Sequence, residues 1–156
     1  MKCALVPFSF RDNTWALPQM QSFPLMFYRR DILAELGLEV PNTWDDIYRI
    51  LPVLQRNNML IGIGPGIFQT WLYQRGEVVF KPDGVQTNLD SEVAVQTFRD
   101  LTELFSLYGL LVTYNAENRF RLGEMPIVIE DWGLYNRLQV FAPELRGEWG
   151  FTLVPG

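Results

Sequence analysis

Short apolar segments alternate with helical segments along most of this sequence, and this alternation constrains the fold more than any other feature. Three apolar runs, at 23–29, 59–64 and 125–129, have the length and composition of buried strands. The segments between them space their apolar residues as helices do, and two of them stop at Gly37 and Gly109. Strands that alternate with helices pack as a sheet covered by helices, so the sequence predicts an α/β fold with a mixed sheet.

The start of one helix is marked by its capping residues. Thr43 is the expected N-cap, and Asp46 three residues later approximates a capping box, although aspartate reaches less far than glutamate. The acidic side chain also suits the positive end of the helix dipole. The helix is expected to run to Gln55 with a bend or break at Pro52, because proline removes a backbone donor.

Three further segments complete the pattern. Residues 77–88 indicate a hairpin of two short strands around a Pro-Asp-Gly turn, and 147–156 contain a final strand. The segment 91–109 is the clearest helix of the chain. Its predicted apolar stripe consists of Ala94, Phe98, Leu101, Phe105 and Tyr108.

Composition and charge exclude several classes of function. The 156 residues have a formal net charge of −5 and no basic patch, so a nucleic-acid partner is not expected. The sequence has no histidine, which removes histidine-based triads and histidine metal ligands. Residues 62–66, "GIGPG", lack the Lys-Ser/Thr pair of a phosphate-binding loop. We therefore expect no cofactor and no metal site.

Five stretches in a fixed order carry a resemblance to a known family. They are "WALP", "LMFYRRDILAELGLEVPNTWDD", "GEVVFKPDGVQTNLDSEVAVQTFRDLTEL", "NRFRLGEMPIVIEDW" and "GEWGFTLVPG". Together they resemble the family 1 extracellular solute-binding proteins of ABC importers, which include maltose-binding protein and its oligosaccharide-binding relatives. The resemblance implies a periplasmic-binding-protein-like fold of class II, of which this chain is one lobe with a mixed sheet flanked by helices.

The resemblance also implies where this lobe belongs. Residues 1–156 correspond to most of the C-terminal lobe of a two-lobe protein, and the first lobe is absent from the chain. The intact parent is expected at the extracellular face of the membrane or in the periplasm, secreted or anchored by a lipid. Its partners are a sugar or oligosaccharide and, through the intact parent, the membrane permease of an ABC importer.

The strand-to-helix junction after 125–129 holds the strongest candidates for ligand contact. By its position in the resemblance, Trp132 is the tryptophan that stacks on a pyranose ring, although a core tryptophan is the alternative. Glu130 and Asp131 precede it, and carboxylates accept hydrogen bonds from sugar hydroxyls. Asp131 also fits a helix N-cap, so we expect one of the two acids to cap the helix and the other to contact ligand.

Other polar and aromatic residues are weaker candidates for the same site. Phe68 and Gln69 follow the 62–66 turn, where the family offers an aromatic and polar pair to the ligand. Phe68 alternatively packs against its own helix. Gln19 and Gln21 lie near the expected hinge, and Trp15 replaces the tyrosine of the family's hinge segment, so all three are candidate contacts or exposed loop residues.

The sequence predicts a carbohydrate-binding lobe of an importer's solute receptor, without catalysis. A glycoside hydrolase fragment is an alternative, but it needs two carboxyl groups roughly 5 to 9.5 Å apart across a sugar ring. Neighbouring acids such as Glu130 and Asp131 tend to point apart. A protein-interaction module is a second alternative, since surplus aromatic residues also form exposed patches. For the same reason we expect the lone lobe to self-associate.

Overall fold

The computed structural model describes residues 5–19 and 22–156, which form a four-stranded sheet with helices on both faces. Within that part of the chain, no helix is both long and apolar enough to cross a membrane. The strands are β1 (Ser9–Phe10), β2 (Asn13–Thr14), β3 (Pro24–Arg29), β4 (Ile61–Ile63), β5 (Ile127–Asp131) and β6 (Trp149–Thr152). The helices are α1 (Arg30–Glu35), α2 (Trp44–Arg56), α3 (Phe68–Gln74), α4 (Glu92–Ser106), α5 (Ala116–Arg121) and α6 (Gly133–Phe141).

The main sheet is mixed, as the sequence predicts. Its strand order is β4-β5-β3-β6. Strand β3 pairs antiparallel with β5 on one side and with β6 on the other, whereas β4 and β5 are parallel. Strands β1 and β2 form a separate two-stranded hairpin. The C-terminal ends of β4 and β5 and the N-terminal end of β3 therefore lie at the same edge of the sheet.

Each face of the main sheet contributes to its own hydrophobic core. Successive residues of a strand point to opposite faces, so Met26 and Phe27 of β3 belong to different cores. Met26 packs with residues of α2, α3 and α4, and Phe27 packs with residues of α5 and α6. The chain is therefore a three-layer α/β/α unit, which confirms the expected class of fold.

The local signals at the start of α2 are confirmed, but the expected effect of its proline is not. The Thr43 hydroxyl accepts a hydrogen bond from the Asp46 N–H, and the Asp46 carboxylate accepts one from the Thr43 N–H. Helix α2 then continues through Pro52 to Arg56. Pro52 is exposed while its neighbour Leu51 is fully buried, so packing against the core holds the helix through the proline.

Two other expectations need correction. In the predicted stripe of α4 only Phe98 is wrong, because it is 58% exposed and the buried face includes Thr97 and Leu104 instead. The other four residues of the stripe are buried or packed against the core. The 77–88 hairpin is reduced to one bridge between Phe80 and Thr87. No third strand among the described residues supports it, and isolated two-stranded pairs are marginal.

Replacing Gly62 with alanine is expected to lower the free energy of unfolding by about 1–3 kcal/mol, because the interior of β4 has no space for a methyl group. A Cβ at this position would lie 2.7 Å from a methyl carbon of Val128 and 3.0 Å from the ring of Tyr114. The matched control is Gly64→Ala just beyond the same strand, where nothing lies within 4 Å of an added Cβ. Urea denaturation of both variants measures the difference, and equal midpoints would contradict the packing described.

Candidate functional site

A cavity of about 500 Å³ opens at the edge of the sheet where three strands end. Strand β5 brings Glu130 and Asp131 to this edge, and Pro24 at the start of β3 pairs with Asp131. Helix α3 follows β4 through a short 3-10 turn and closes one side. In α/β proteins ligands bind in the crevice beyond the carboxyl ends of strands, so this cavity is the candidate binding site.

The lining of this cavity is rich in hydrogen-bonding groups. Two carboxylates come from β5, and an amide and two hydroxyls come from α3. The Gln69 amide nitrogen donates a hydrogen bond to the Tyr73 hydroxyl at 2.7 Å, which orients both side chains. Lysine and arginine are absent from the lining that the structure describes. The main polar lining residues are Gln69, Thr70, Tyr73, Glu130 and Asp131.

The two acids at the end of β5 have different surroundings in the structure. The Asp131 carboxylate accepts a hydrogen bond of 2.5 Å from the Gly133 N–H, the first residue of α6. A side-chain oxygen that accepts from a free N–H at a helix start is a cap. Asp131 therefore serves the start of α6, and the contact of Glu130 with a ligand stays a prediction.

The environment of Glu130 favours its protonated form. The side chain is half-buried. Burial raises the pKa of Glu130, and the neighbouring charge of Asp131 raises it further, while Arg137 acts in the opposite direction. A carboxylate that is partly removed from water, beside a second acid, has lost solvent partners that a ligand hydroxyl can replace.

An aromatic cluster adjoins the cavity through Phe23 and consists of Phe23, Trp132, Tyr135 and Phe151. The Trp132 and Tyr135 rings are stacked, with centroids 4.7 Å apart and planes 6° apart. Phe151 meets Trp132 edge to face at 5.4 Å. Phe23 lies 6.3 Å from Trp132 and itself lines the cavity. Trp132 is half-buried, one face of its ring is covered by Tyr135, and it is not among the described residues that line the cavity.

The match to a family model identifies the family of this chain. Residues 4–123 match the model of the bacterial extracellular solute-binding protein family. The chain belongs to this family. A search of the curated proteins found no match.

Solved structures of solute-binding proteins share the fold of this chain. Maltose-bound MalE3 of T. maritima has a TM-score of 0.84 and 19% sequence identity over 99% of this chain and 44% of its own. An ABC substrate-binding protein of Listeria monocytogenes in complex with cycloalternan has a TM-score of 0.82 and 20% identity over 100% of this chain and 43% of its own. UgpB of Mycobacterium tuberculosis in complex with glycerophosphocholine has a TM-score of 0.82 and 18% identity over 99% of this chain and 42% of its own. The chain spans less than half the length of these proteins.

Within this solute-binding chain, several of the predicted site residues lie away from the cavity. The Phe68 ring packs edge to face against Phe98 at 6.2 Å and lines an apolar groove beside α4 instead. Trp15 is 73% exposed, and its indole N–H donates to the Phe10 carbonyl in the β1-β2 hairpin. Gln19 is exposed and does not line the cavity, and Gln21 lies outside the described residues.

The structure also adds residues that the sequence analysis missed. Phe23, Thr70 and Tyr73 line the cavity, and none of them stands in a recognisable motif. Tyr114 packs in the core that contains Val128, and Glu130 is the charged group that acts on its hydroxyl. The sequence contains one signal that could have pointed to a close neighbour of β4. A glycine inside a strand often marks the close approach of another group, and here the ring of Tyr114 packs against Gly62.

Across the described residues, no group of three or more His, Cys, Asp or Glu side chains could hold a metal ion. Two acids line the cavity, and one of them, Asp131, already accepts a hydrogen bond from a backbone N–H of α6. Hydrogen bonding is therefore the chemistry that the described lining offers.

The raised pKa of Glu130 predicts a pH-dependent effect on stability. Ionisation of this carboxyl opposes folding, so the stability of the wild-type chain falls as the pH rises through the raised pKa, above the ordinary value of 4.5. Glu130→Gln removes the charge, so the variant is expected to melt at a higher temperature than wild type at about pH 7 and at the same temperature below about pH 4. Thermal melts at both pH values test this, and a difference that does not change with pH would contradict it.

Proposed function

We propose that this chain is one lobe of the solute receptor of an ABC importer and that it binds a neutral oligosaccharide. The observation that carries the proposal is the cavity at the strand ends, where Glu130 and Gln69 lie next to an aromatic cluster. Sugars present hydroxyl groups around their rims and C–H groups on their faces. The family supports a binding role, and the sugars bound by the solved relatives support this class of ligand.

The lining suggests how a sugar would be held. The Glu130 carboxylate accepts hydrogen bonds from sugar hydroxyls, and Gln69 both donates and accepts. Phe23 and Trp132 offer apolar ring surface to the C–H face of a sugar ring. Because the described lining carries acids and no basic side chain, a neutral sugar is favoured over an acidic one.

In the intact parent, the sugar would bridge two lobes and favour the closed arrangement. A ligand shifts such an equilibrium only through contacts that differ between the open and closed states, and contacts to both lobes exist only when the cleft is closed. The closed form would then engage the membrane permease. We assign residues 1–156 to a single lobe of this parent, which acts at the extracellular face of the membrane or in the periplasm, either secreted or held by a lipid anchor.

We further infer that the chain performs no catalysis. A glycosidase needs two carboxyl groups that face each other across a sugar ring. Glu130 and Asp131 are consecutive on β5, so their side chains leave opposite faces of the strand. Asp131 also accepts from the start of α6, which keeps it from acting as an acid or a nucleophile.

Chemical-shift mapping by NMR tests where an oligosaccharide binds. Maltotetraose added to the ¹⁵N-labelled chain is expected to shift the amide signals of residues 64–73 and 130–132. A lone lobe offers half of a cleft, so a dissociation constant in the millimolar range, about −4 kcal/mol, is expected. Amide signals of α1 at the opposite edge of the sheet are the internal control. Shifts confined to the groove beside α4 would contradict the proposed site.

Self-association of the lone chain is expected to proceed through the groove beside α4. This groove of about 1020 Å³ is lined by Phe68, Phe98, Phe105 and Val112 and is almost entirely apolar. Burying such surface is favourable, and a second copy of the chain offers the same apolar surface in an isolated preparation. Sedimentation velocity should show a dimer that grows with concentration.

A pair of matched substitutions tests whether this groove is the surface through which the chain self-associates. Phe98→Ser removes a ring that lines it and is expected to abolish the dimer. Leu107→Ser is the control, because Leu107 is 73% exposed and does not line the groove. A clean monomer at every concentration, or equal loss of dimer in both variants, would contradict this role of the groove.

A further inference from the structure

The buried hydroxyl of Tyr114 has no role in the proposed binding of a sugar. Its oxygen atom is buried and has no hydrogen-bond partner among the residues that the structure describes. A buried hydroxyl without a partner costs stability, so such groups are rare in folded proteins. This hydroxyl therefore needs an explanation in the chemistry around it.

The packing of the sheet places Tyr114 next to the candidate ligand-binding acid. Val128 and Glu130 are two residues apart on β5, so their side chains leave the same face of the strand. Tyr114 packs on that face in the core that contains Val128. The Glu130 carboxylate is the charged group that acts on the Tyr114 hydroxyl.

Gly62 makes this arrangement possible. A Cβ at position 62 would lie 3.0 Å from a ring carbon of Tyr114. The glycine therefore lets the ring lie directly against β4. Because packing holds the Tyr114 ring in place, its hydroxyl lies at a fixed position near Glu130.

We propose that Tyr114 is a positioning residue, whose hydroxyl donates a hydrogen bond to the Glu130 carboxylate and holds it as an acceptor for ligand hydroxyls. The two groups are neighbours in the structure without the geometry of a hydrogen bond. Glu130 has three rotatable bonds and Tyr114 is fixed, so rotation of Glu130 closes the bond. A preoriented acceptor loses less freedom when it binds a ligand.

The other groups around Glu130 explain why Tyr114 is the proposed hydrogen-bond donor. The groups that act on it are Asp131, Arg137 and Tyr114. Asp131 accepts from Gly133 and repels a second carboxylate. The Arg137 guanidinium lies 3.6 Å from the Glu117 carboxylate, with which it forms an ion pair. The Tyr114 hydroxyl is the neutral donor, and it can hold the carboxylate without neutralising its charge.

The inference rests on the proposed function, but its first test does not require a ligand. The variant is Tyr114→Phe, and the control is Tyr48→Phe, a second half-buried tyrosine whose hydroxyl is 3.5 Å from the Asp100 carbonyl. The ¹³C signal of the Glu130 carboxyl is followed against pH in the labelled chain. Loss of the donor is expected to raise the pKa of Glu130 in Tyr114→Phe and to leave it unchanged in Tyr48→Phe. An unchanged pKa in Tyr114→Phe would overturn the proposal.

The second test uses binding of maltotetraose. Tyr114→Phe is expected to weaken binding by about five- to tenfold, because it removes the donor that holds the Glu130 carboxylate, and a circular dichroism melt verifies that the variant folds. Equal affinity of wild type and variant would overturn the positioning role. Failure of the wild type to bind would instead count against the proposed function, while the titration still decides whether Tyr114 holds Glu130.

Discussion

Replacing Glu130 with alanine is expected to weaken oligosaccharide binding by about 10- to 100-fold, since hydrogen bonds to a charged group contribute roughly 1.5–3 kcal/mol. Glu130 is half-buried in the cavity lining and is the acid that does not cap α6. Its ionisation opposes folding, so its removal leaves the fold intact. Isothermal titration calorimetry with maltotetraose measures the loss, and a circular dichroism melt verifies the fold.

The control for this substitution is Glu35→Ala. Glu35 is exposed at the end of α1, which follows the C-terminal end of β3 and therefore lies at the opposite edge of the sheet from the cavity. It carries the same charge, so it reports any effect of net charge alone. Equal affinity of Glu130→Ala and Glu35→Ala would show that the cavity at the strand ends does not bind the sugar.

Replacing Trp71 with alanine is expected to lower the free energy of unfolding by about 3–5 kcal/mol, which is a large part of the stability of a domain of this size. Trp71 is 2% exposed, and its ring is stacked on that of Trp44 with centroids 4.2 Å apart. The Arg75 guanidinium lies 5.0 Å from the same ring. Truncation leaves a cavity between α2 and α3 and removes all of these contacts.

Trp15→Ala provides the matched control for Trp71→Ala. Trp15 is 73% exposed, and substitutions at such positions usually change stability by about 0.5 kcal/mol or less. Urea denaturation of the two variants should therefore give well-separated midpoints with similar slopes. A small effect of Trp71→Ala would mean that the packing of α3 against α2 contributes little to the fold.

Local features of the fold could be predicted from the sequence because they depend on neighbouring residues. The capping box of Thr43 and Asp46 spans four residues, and the structure contains both of its hydrogen bonds. Strand pairing could not be predicted in the same way. The antiparallel pairing of β3 with both β5 and β6 joins segments about 100 to 125 residues apart in the chain, and only the packing of the whole sheet selects it.

The candidate site was predictable where it follows directly from a strand end. Glu130 and Asp131 reach the cavity because β5 ends there. Phe68 and Gln69 show the limit of such reasoning. One residue on a helix corresponds to a rotation of about 100°, so Gln69 faces the cavity while Phe68 faces the apolar groove. Tyr114 reaches Glu130 only through the folded sheet.

The most direct test of the central claim is one titration of the chain with two readouts. A panel of neutral and acidic oligosaccharides is added while tryptophan emission and the release of reducing ends are followed together. The account predicts a saturable change in emission with neutral oligosaccharides, loss of that change in Trp132→Ala, and no new reducing ends. New reducing ends would contradict a binding role and favour a hydrolase, and saturable binding of the acidic sugars alone would contradict the proposed ligand class.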